Sequence, residues 1–154
     1  MTESSQFQER VSPSAKPHIR TFCLPDDYAA VIDLWRTAGP GINLRQSDEF
    51  IEIQKMVQHS PELFLVAELD GKIIGSVLGG FDGRRGMMYH LAVNCEFRNQ
   101  GIASMLVDEL EERMRSRGCL RWYLLVFPDN QEAIDFYENR GWERMPLFAY
   151  GKNL

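Results

Sequence analysis

Met87-Met88-Tyr89-His90-Leu91-Ala92-Val93, then Asn94-Cys95-Glu96-Phe97, then Arg98-Asn99-Gln100-Gly101-Ile102-Ala103, is the stretch on which the fold turns. Its first seven residues carry apolar or aromatic side chains at nearly every position, the pattern of a strand buried on both faces. A short polar loop follows and ends in Gly101. From there Ile102, Ala103, Leu106, Leu110 and Met114 recur at helical spacing, so the loop delivers its backbone N–H groups to a helix N-terminus. Such a terminus attracts anions, and this one has no carboxylate in its first turn: the acids begin at Asp108, and Arg98 stands just ahead of the helix. Taken alone, a glycine at a strand-to-helix junction is equally a tight turn. The Gly-Lys-Ser/Thr of a nucleoside-triphosphate loop is absent, as is the Gly-x-Gly-x-x-Gly of a dinucleotide site.

Working outward, residues 63–69 and 72–78 flank Asp70-Gly71, a dipeptide that supplies the positive φ angles of a two-residue hairpin. A second turn over 81–86 joins this hairpin to the central strand as a meander, and Arg84 and Arg85 at its tip read as solvated, with a phosphate contact as the lesser alternative. Residues 18–22 alternate as a half-buried first strand. Pro25-Asp26-Asp27 starts a helix whose inner face is Tyr28, Val31, Ile32 and Trp35. The chain then loosens through Gly39-Pro40-Gly41. A second helix is expected after Ser47, with Phe50, Ile53 and Val57 inward and His59 complementing the dipole at its end. Downstream, Arg113, Arg115, Arg117 and Gly118 close the helix opened at Gly101. Residues 120–127 read as an interior parallel strand, Asp129 and Glu132 as a capping box for a helix that stops at Gly141, and 142–145 and 147–152 as two short strands interrupted by Pro146.

A length of 154 residues suits one domain, expected over 17–154, with a polar leader over 1–16 that lacks apolar periodicity. Hydrophobic residues at 44% and charged ones at 25% are ordinary for a globular chain, and a net charge of −5 argues against nucleic acid as a partner. Cys23, Cys95 and Cys119 are isolated, so neither a disulfide framework nor a metal site is indicated and a reducing cytoplasm fits. No membrane span is expected, since no stretch approaches the ~20 apolar residues one requires.

The string Arg-x-x-Gly-x-Ala after Leu91-Ala92-Val93 resembles the pyrophosphate-binding motif of the GNAT superfamily of N-acetyltransferases. A second constellation supports it. Asn130, Ala133 and Tyr137 are spaced three and four apart on one helix face, and Asn-x-x-Ala-x-x-x-Tyr-x-x-x-Gly followed by Trp142 is similar to the second CoA-binding segment of that family. By itself Tyr137 reads as a core aromatic. The run over 63–86 also resembles small bacterial YpeA-type members. The resemblance implies a mixed α/β fold with a central sheet of about six to seven strands, flanked by about four helices and split at the cofactor site. It further implies acetyl-CoA as cosubstrate, wedged between the central strand and the strand at Leu120. The backbone of Leu91, Ala92 and Val93 would pair with the pantetheine arm. Asn99, Gln100, Gly101, Ile102 and Ala103, with Arg98, would hold the pyrophosphate. Asn130 would contact the cofactor, Tyr137 would be the general acid, and residues 42–46 would border the acceptor pocket.

The expected reaction is direct acetyl transfer to an amine, whether a small molecule or a protein N-terminus or lysine, by a monomer or homodimer. Cys95 has no His nearby in sequence to activate it as a nucleophile. The general base stays open. Strand parity turns Met87, Tyr89 and Leu91 inward and His90 away, so a water relay stands beside His90, which a bulge would be needed to re-aim. A non-catalytic acyl-CoA-binding module is the alternative from another class.

Overall fold

The computed structural model describes residues 15–154, so the expected leader over 1–16 lies outside the described residues except for Ala15 and Lys16. Five strands form one sheet in chain order: β1 (His18–Thr21), β2 (Phe64–Leu69), β3 (Lys72–Phe81), β4 (Gly86–Val93) and β5 (Trp122–Tyr123). The first four are antiparallel and β5 runs parallel to β4. Asp70 at φ +50° and Gly71 at φ +75° make the tight turn between β2 and β3. Helices α1 (Tyr28–Thr37), α2 (Phe50–His59), α3 (Ile102–Ser116) and α4 (Gln131–Asn139) complete the mixed α/β architecture. None of them is long and apolar enough to cross a membrane.

The continuous apolar run from Leu63 to Ala67 is explained by its two destinations. Leu63, Leu65 and Ala67 point to α3 and join Met88, Leu106 and Leu110, whereas Phe64 and Val66 point to α1 and join Val31 and Trp35. A strand covered on both faces has no polar side to show. Gly75 and Gly79 let α3 lie close on β3, because a Cβ at Gly79 would stand 2.8 Å from Leu110 Cδ1 and one at Gly75 would stand 3.0 Å from Leu106 Cδ1.

Three expectations are corrected. The last helix takes Asn130 as its cap, one residue beyond Asp129: Asn130 Oδ1 accepts the Ala133 N–H at 3.2 Å. Residues 142–145 and 147–152 form no strands, and of residues 120–127 only Trp122 and Tyr123 are paired, so the sheet has five strands instead of about six or seven. The Trp142 N–H is spent on the Tyr137 carbonyl in the C-terminal cap of α4, Pro146 has no N–H to give, and Phe148 and Tyr150 are exposed. In α2, Ile53 is buried but Phe50 is 39% exposed, packing its edge on Tyr28 instead.

Asp27 precedes α1 without capping it through its side chain. Its buried carboxylate accepts from the Arg20 guanidinium at 2.6 and 3.0 Å and from the Cys23 N–H at 2.8 Å. Arg20 foremost, then the Cys23 N–H, outweighs burial and holds the Asp27 pKa below the usual aspartate range. The unfolded chain therefore takes up this proton first as pH falls. The stabilisation is whole above the unfolded value of about 3.9 and is lost as pH drops through the lower folded value. Acid titration of the unfolding free energy should accordingly show a steeper decline for the wild type below pH ~4 than for Asp27→Asn. Parallel curves would take Asp27 out of the acid response.

Candidate active site

The sheet splits where the sequence places the split. β4 and β5 share only Gly86↔Trp122 and Met87↔Tyr123, and from Met88 to Val93 the β4 edge has no strand beside it on that side. Backbone polar groups along an unpaired edge are available to an extended ligand. The edge leads into the loop before α3. There Asn94 Oδ1 accepts the Glu96 N–H at 2.9 Å, Asn99 adopts φ +58° and Gly101 φ +79°. Left-handed residues in close succession make a concave run of N–H groups, which the acid-free first turn of α3 extends. A side chain at Gly101 would meet open space, but its backbone conformation is one that L residues rarely adopt.

A cleft of about 2420 Å³ occupies the split. That exceeds the ~300–1,000 Å³ of drug-sized sites. Of the residues expected to hold the cofactor or donate the proton, all but Gln100 line it: Leu91, Ala92, Val93, Arg98, Asn99, Gly101, Ile102, Ala103, Asn130 and Tyr137. Ile42, Asn43 and Arg45 bring the connector between α1 and α2 to the same wall. Arg84, Arg85 and Cys95 are not on it, and Arg85 instead lies over the Tyr123 ring at 5.8 Å. Arg98 donates to the Ala38 carbonyl and thereby ties the end of α1 to the loop before α3. Asn130 spends Oδ1 on its cap, and its Nδ2 is 2.9 Å from where a Gly41 Cβ would sit.

Tyr137 is held by a helix end, since Arg140 N–H and Trp142 N–H both donate to its carbonyl, and its ring packs edge-on against Phe136 and Trp142. Burial pushes the phenol pKa well above its ordinary value, so the hydroxyl stays protonated. Among the described residues no group of three or more His, Cys, Asp and Glu side chains is placed to hold a metal ion.

β4 contains the bulge that strand parity alone leaves out. Leu78 faces Tyr89 while Ser76 faces Ala92, so β4 has one residue more than β3 across this interval, and His90 adopts φ +48°. Consequently His90 does not point to the α3 side. Its ring lies 4.5 Å from that of Trp35 on α1, and Nε2 is 2.8 Å from Asp48 Oδ1. Leu91 turns instead toward the α3 core. Asp48 is the functional candidate missed from sequence, where Ser47-Asp48 reads only as a helix start. Both Asp48 and His90 line the cleft.

The acetyltransferase (GNAT) family model matches residues 28–142. An acetyltransferase of Pectobacterium atrosepticum is 41% identical over 129 residues, covering 84% of this chain and 90% of the relative. Two solved structures share the fold: the NatC complex bound to Gag peptide and CoA, at TM-score 0.73 and 21% identity over 84% of this chain and 86% of that one, and an aminoglycoside N-acetyltransferase in complex with CoA, at TM-score 0.71 and 16% identity over 93% and 98%. With the split sheet, the acid-free start of α3 and a match across most of its length, the chain belongs to the acetyltransferase (GNAT) family and is an acetyl-CoA-dependent acyltransferase.

Proposed function

We propose that residues 17–154 act as one unit that transfers the acetyl group of acetyl-CoA directly to an amine, with Tyr137 as the general acid. The observation that carries this is the continuity of the open β4 edge with the left-handed loop at Asn99 and Gly101, which offers unpaired backbone groups and then an anion site along one line. The edge from Leu91 to Val93 pairs with the pantetheine arm. Backbone N–H groups of Asn99, Gln100, Gly101, Ile102 and Ala103, with Arg98, hold the pyrophosphate, and Asn130 offers Nδ2. A β4 N–H polarises the thioester carbonyl as the amine adds to it. The three free cysteines suit a reducing cytoplasm.

Both solved relatives hold CoA, one with a peptide and the other an enzyme of aminoglycosides. Small amines and protein N-termini or lysines are therefore the acceptor classes to screen. Thiol release from acetyl-CoA on a mixed amine panel tests the reading, and rates should rise with pH while an alkylamine of pKa ~10.4 loses its proton. Binding without turnover on any amine would make the chain an acyl-CoA-binding module instead.

The phosphate loop has its own test. Acetyl-CoA at about 100 times its dissociation constant should stabilise the fold by about 2.7 kcal/mol, or roughly 5–10 °C in melting temperature. Gly101→Glu should abolish that shift, because the carboxylate enters the anion site. Gly101→Asn, which tolerates a left-handed backbone, should retain most of it. An undiminished shift in Gly101→Glu would remove the loop from the cofactor site.

A further inference from the structure

We propose that the sheet face over Gly80 is an outer subsite for the acceptor, and that Arg85 receives there an anionic group, a carboxylate or a phosphate, which the acceptor carries remote from its reacting amine. This rests on the acetyl-transfer reading above and gives the acceptor a second chemical feature. The subsite follows from strand alternation. Gly80 pairs with Met87 and Met87 with Tyr123, so these three share a face with Tyr89, while Met88 turns to the α3 core. On that face Leu78 is covered by α1 and α2, packing with Trp35 and Ile53. Beyond Leu78 the cover ends.

Gly80 has no side chain to fill the space, and Tyr89 beside it is 44% exposed. A hollow of about 580 Å³ results, walled by Tyr89, Tyr123, Arg85 and His59 at the end of α2. Its volume lies within the ~300–1,000 Å³ of small-molecule sites. Tyr89 and Tyr123 also line the large cleft, so the two spaces adjoin. Leu91, where the open β4 edge would take the cofactor, lies four residues along β4 from Met87 in the hollow, a span of about 13 Å of strand. The acidic group therefore stands on the order of 10 Å from the amine.

Charge selects the occupant. Asp82, at the rim, is committed to the turn before β4, where its Oδ1 accepts the Arg84 N–H and the Arg85 N–H, both at 2.7 Å. The Arg85 guanidinium lies over the Tyr123 ring at 5.8 Å, and that of Arg121 lies 5.7 Å from the same ring centre. Arg121 has Glu143 at 3.9 Å, whereas among the described residues no carboxylate comes within 4 Å of the Arg85 guanidinium. Two cations thus converge on one ring with a counter-ion for only one of them. In a chain of net charge −5 this is a local excess of positive charge that an anion relieves. A guanidinium resting on an aromatic face has its planar fork of donors held ready, and that fork matches carboxylate or phosphate through two parallel N–H groups.

Three acceptors of one length test the subsite: octylamine, ω-aminooctanoate and ω-aminooctyl phosphate. For at least one of the two acids kcat/KM should exceed that of octylamine by about tenfold or more, the worth of a charge-assisted hydrogen bond. The better of the two identifies the acceptor's acid. In Arg85→Gln the ratio of acid to octylamine should fall to about one, through KM more than kcat, and in Arg85→Glu it should invert. Arg85 is exposed, so both variants should keep the acetyl-CoA melting shift of the wild type. Gly80→Val tests the hollow itself, because a Cβ there would meet only the Tyr89 ring, at 3.5 Å, and the added methyl groups occupy the space. It should lower the preference for ω-aminooctanoate over a short amino acid such as β-alanine. An active wild type that takes neither acid better than octylamine, or a preference that survives Arg85→Gln, would overturn the subsite and leave acetyl transfer standing. A wild type that binds acetyl-CoA but acetylates no amine would overturn the transfer reading and the subsite with it.

Discussion

Replacing Tyr137 by Phe is expected to lower turnover by about 10²–10⁴ while leaving acetyl-CoA affinity nearly unchanged. The substitution keeps the ring that packs on Phe136 and Trp142 and removes only the hydroxyl. A thiolate leaving group has a reference pKa of about 8.5, so at neutral pH its departure is helped by a proton. The buried phenol holds its proton throughout that range, its pKa being raised by desolvation. Burial would weaken it as an acid toward a thiolate in water. A thiolate leaving into the same buried surroundings would be desolvated too, which raises its affinity for the proton. The defect should narrow as pH rises past the thiol's own value, which lies at or above its reference of about 8.5, because the thiolate then departs unaided. Stopped-flow turnover and a ligand titration on the same variant separate the outcomes: near-normal turnover at pH 7 returns Tyr137 to the core, and an equal loss of affinity makes it a binding residue.

What was legible in the sequence is what local chemistry decides. Asp70-Gly71 is a turn because of its φ angles, and Phe64 beside Leu65 is a doubly covered strand because nothing polar interrupts it. The acid-free start of α3 was legible for the same reason: a helix opening after a glycine with no carboxylate in its first turn is a local statement. The opposite wall is not local. Asp48 and His90 stand 42 residues apart in the chain and meet only because α1 and the turn after it fold over β4. The bulge that aims His90 depends on the register of β3 against β4, and His has no preference for left-handed backbone strong enough to announce it. The cap of α4 falls on Asn130 and not on Asp129, so the Asn130 Oδ1 is committed to the Ala133 N–H. The final strands failed for the converse reason. Alternating apolar residues around Pro146 satisfy a strand pattern, but a ladder also needs a partner edge, and the Trp142 N–H is already committed to α4.

Truncating Trp35 to Ala is expected to cost about 3–5 kcal/mol of folding stability, the largest loss at any single position discussed. The indole is 1% exposed, stacks on Phe64 at 5.9 Å between ring centres and contacts the His90 ring at 4.5 Å, so its removal opens a cavity where α1 meets the sheet. Phe64 is itself stacked on Phe22 at 4.0 Å, which limits how far the walls collapse. The hydroxyl of fully buried Ser76 also loses the indole as its donor, which accounts for about 1–3 kcal/mol of that loss unless water enters. At about 2–4 °C per kcal/mol for a chain of this size, the melting temperature should fall by roughly 6–20 °C. Trp35→Phe isolates the polar part, because it keeps most of the apolar ring and leaves Ser76 unpaired. Adding Ser76→Ala to that variant should recover stability, as removing both partners of a buried hydrogen bond costs less than removing one. Denaturant titrations with an unchanged m-value would register these differences as native-state packing. A loss under about 1 kcal/mol in Trp35→Ala would show that the site refills, and the support of the His90 ring would then have to come from Asp48 alone.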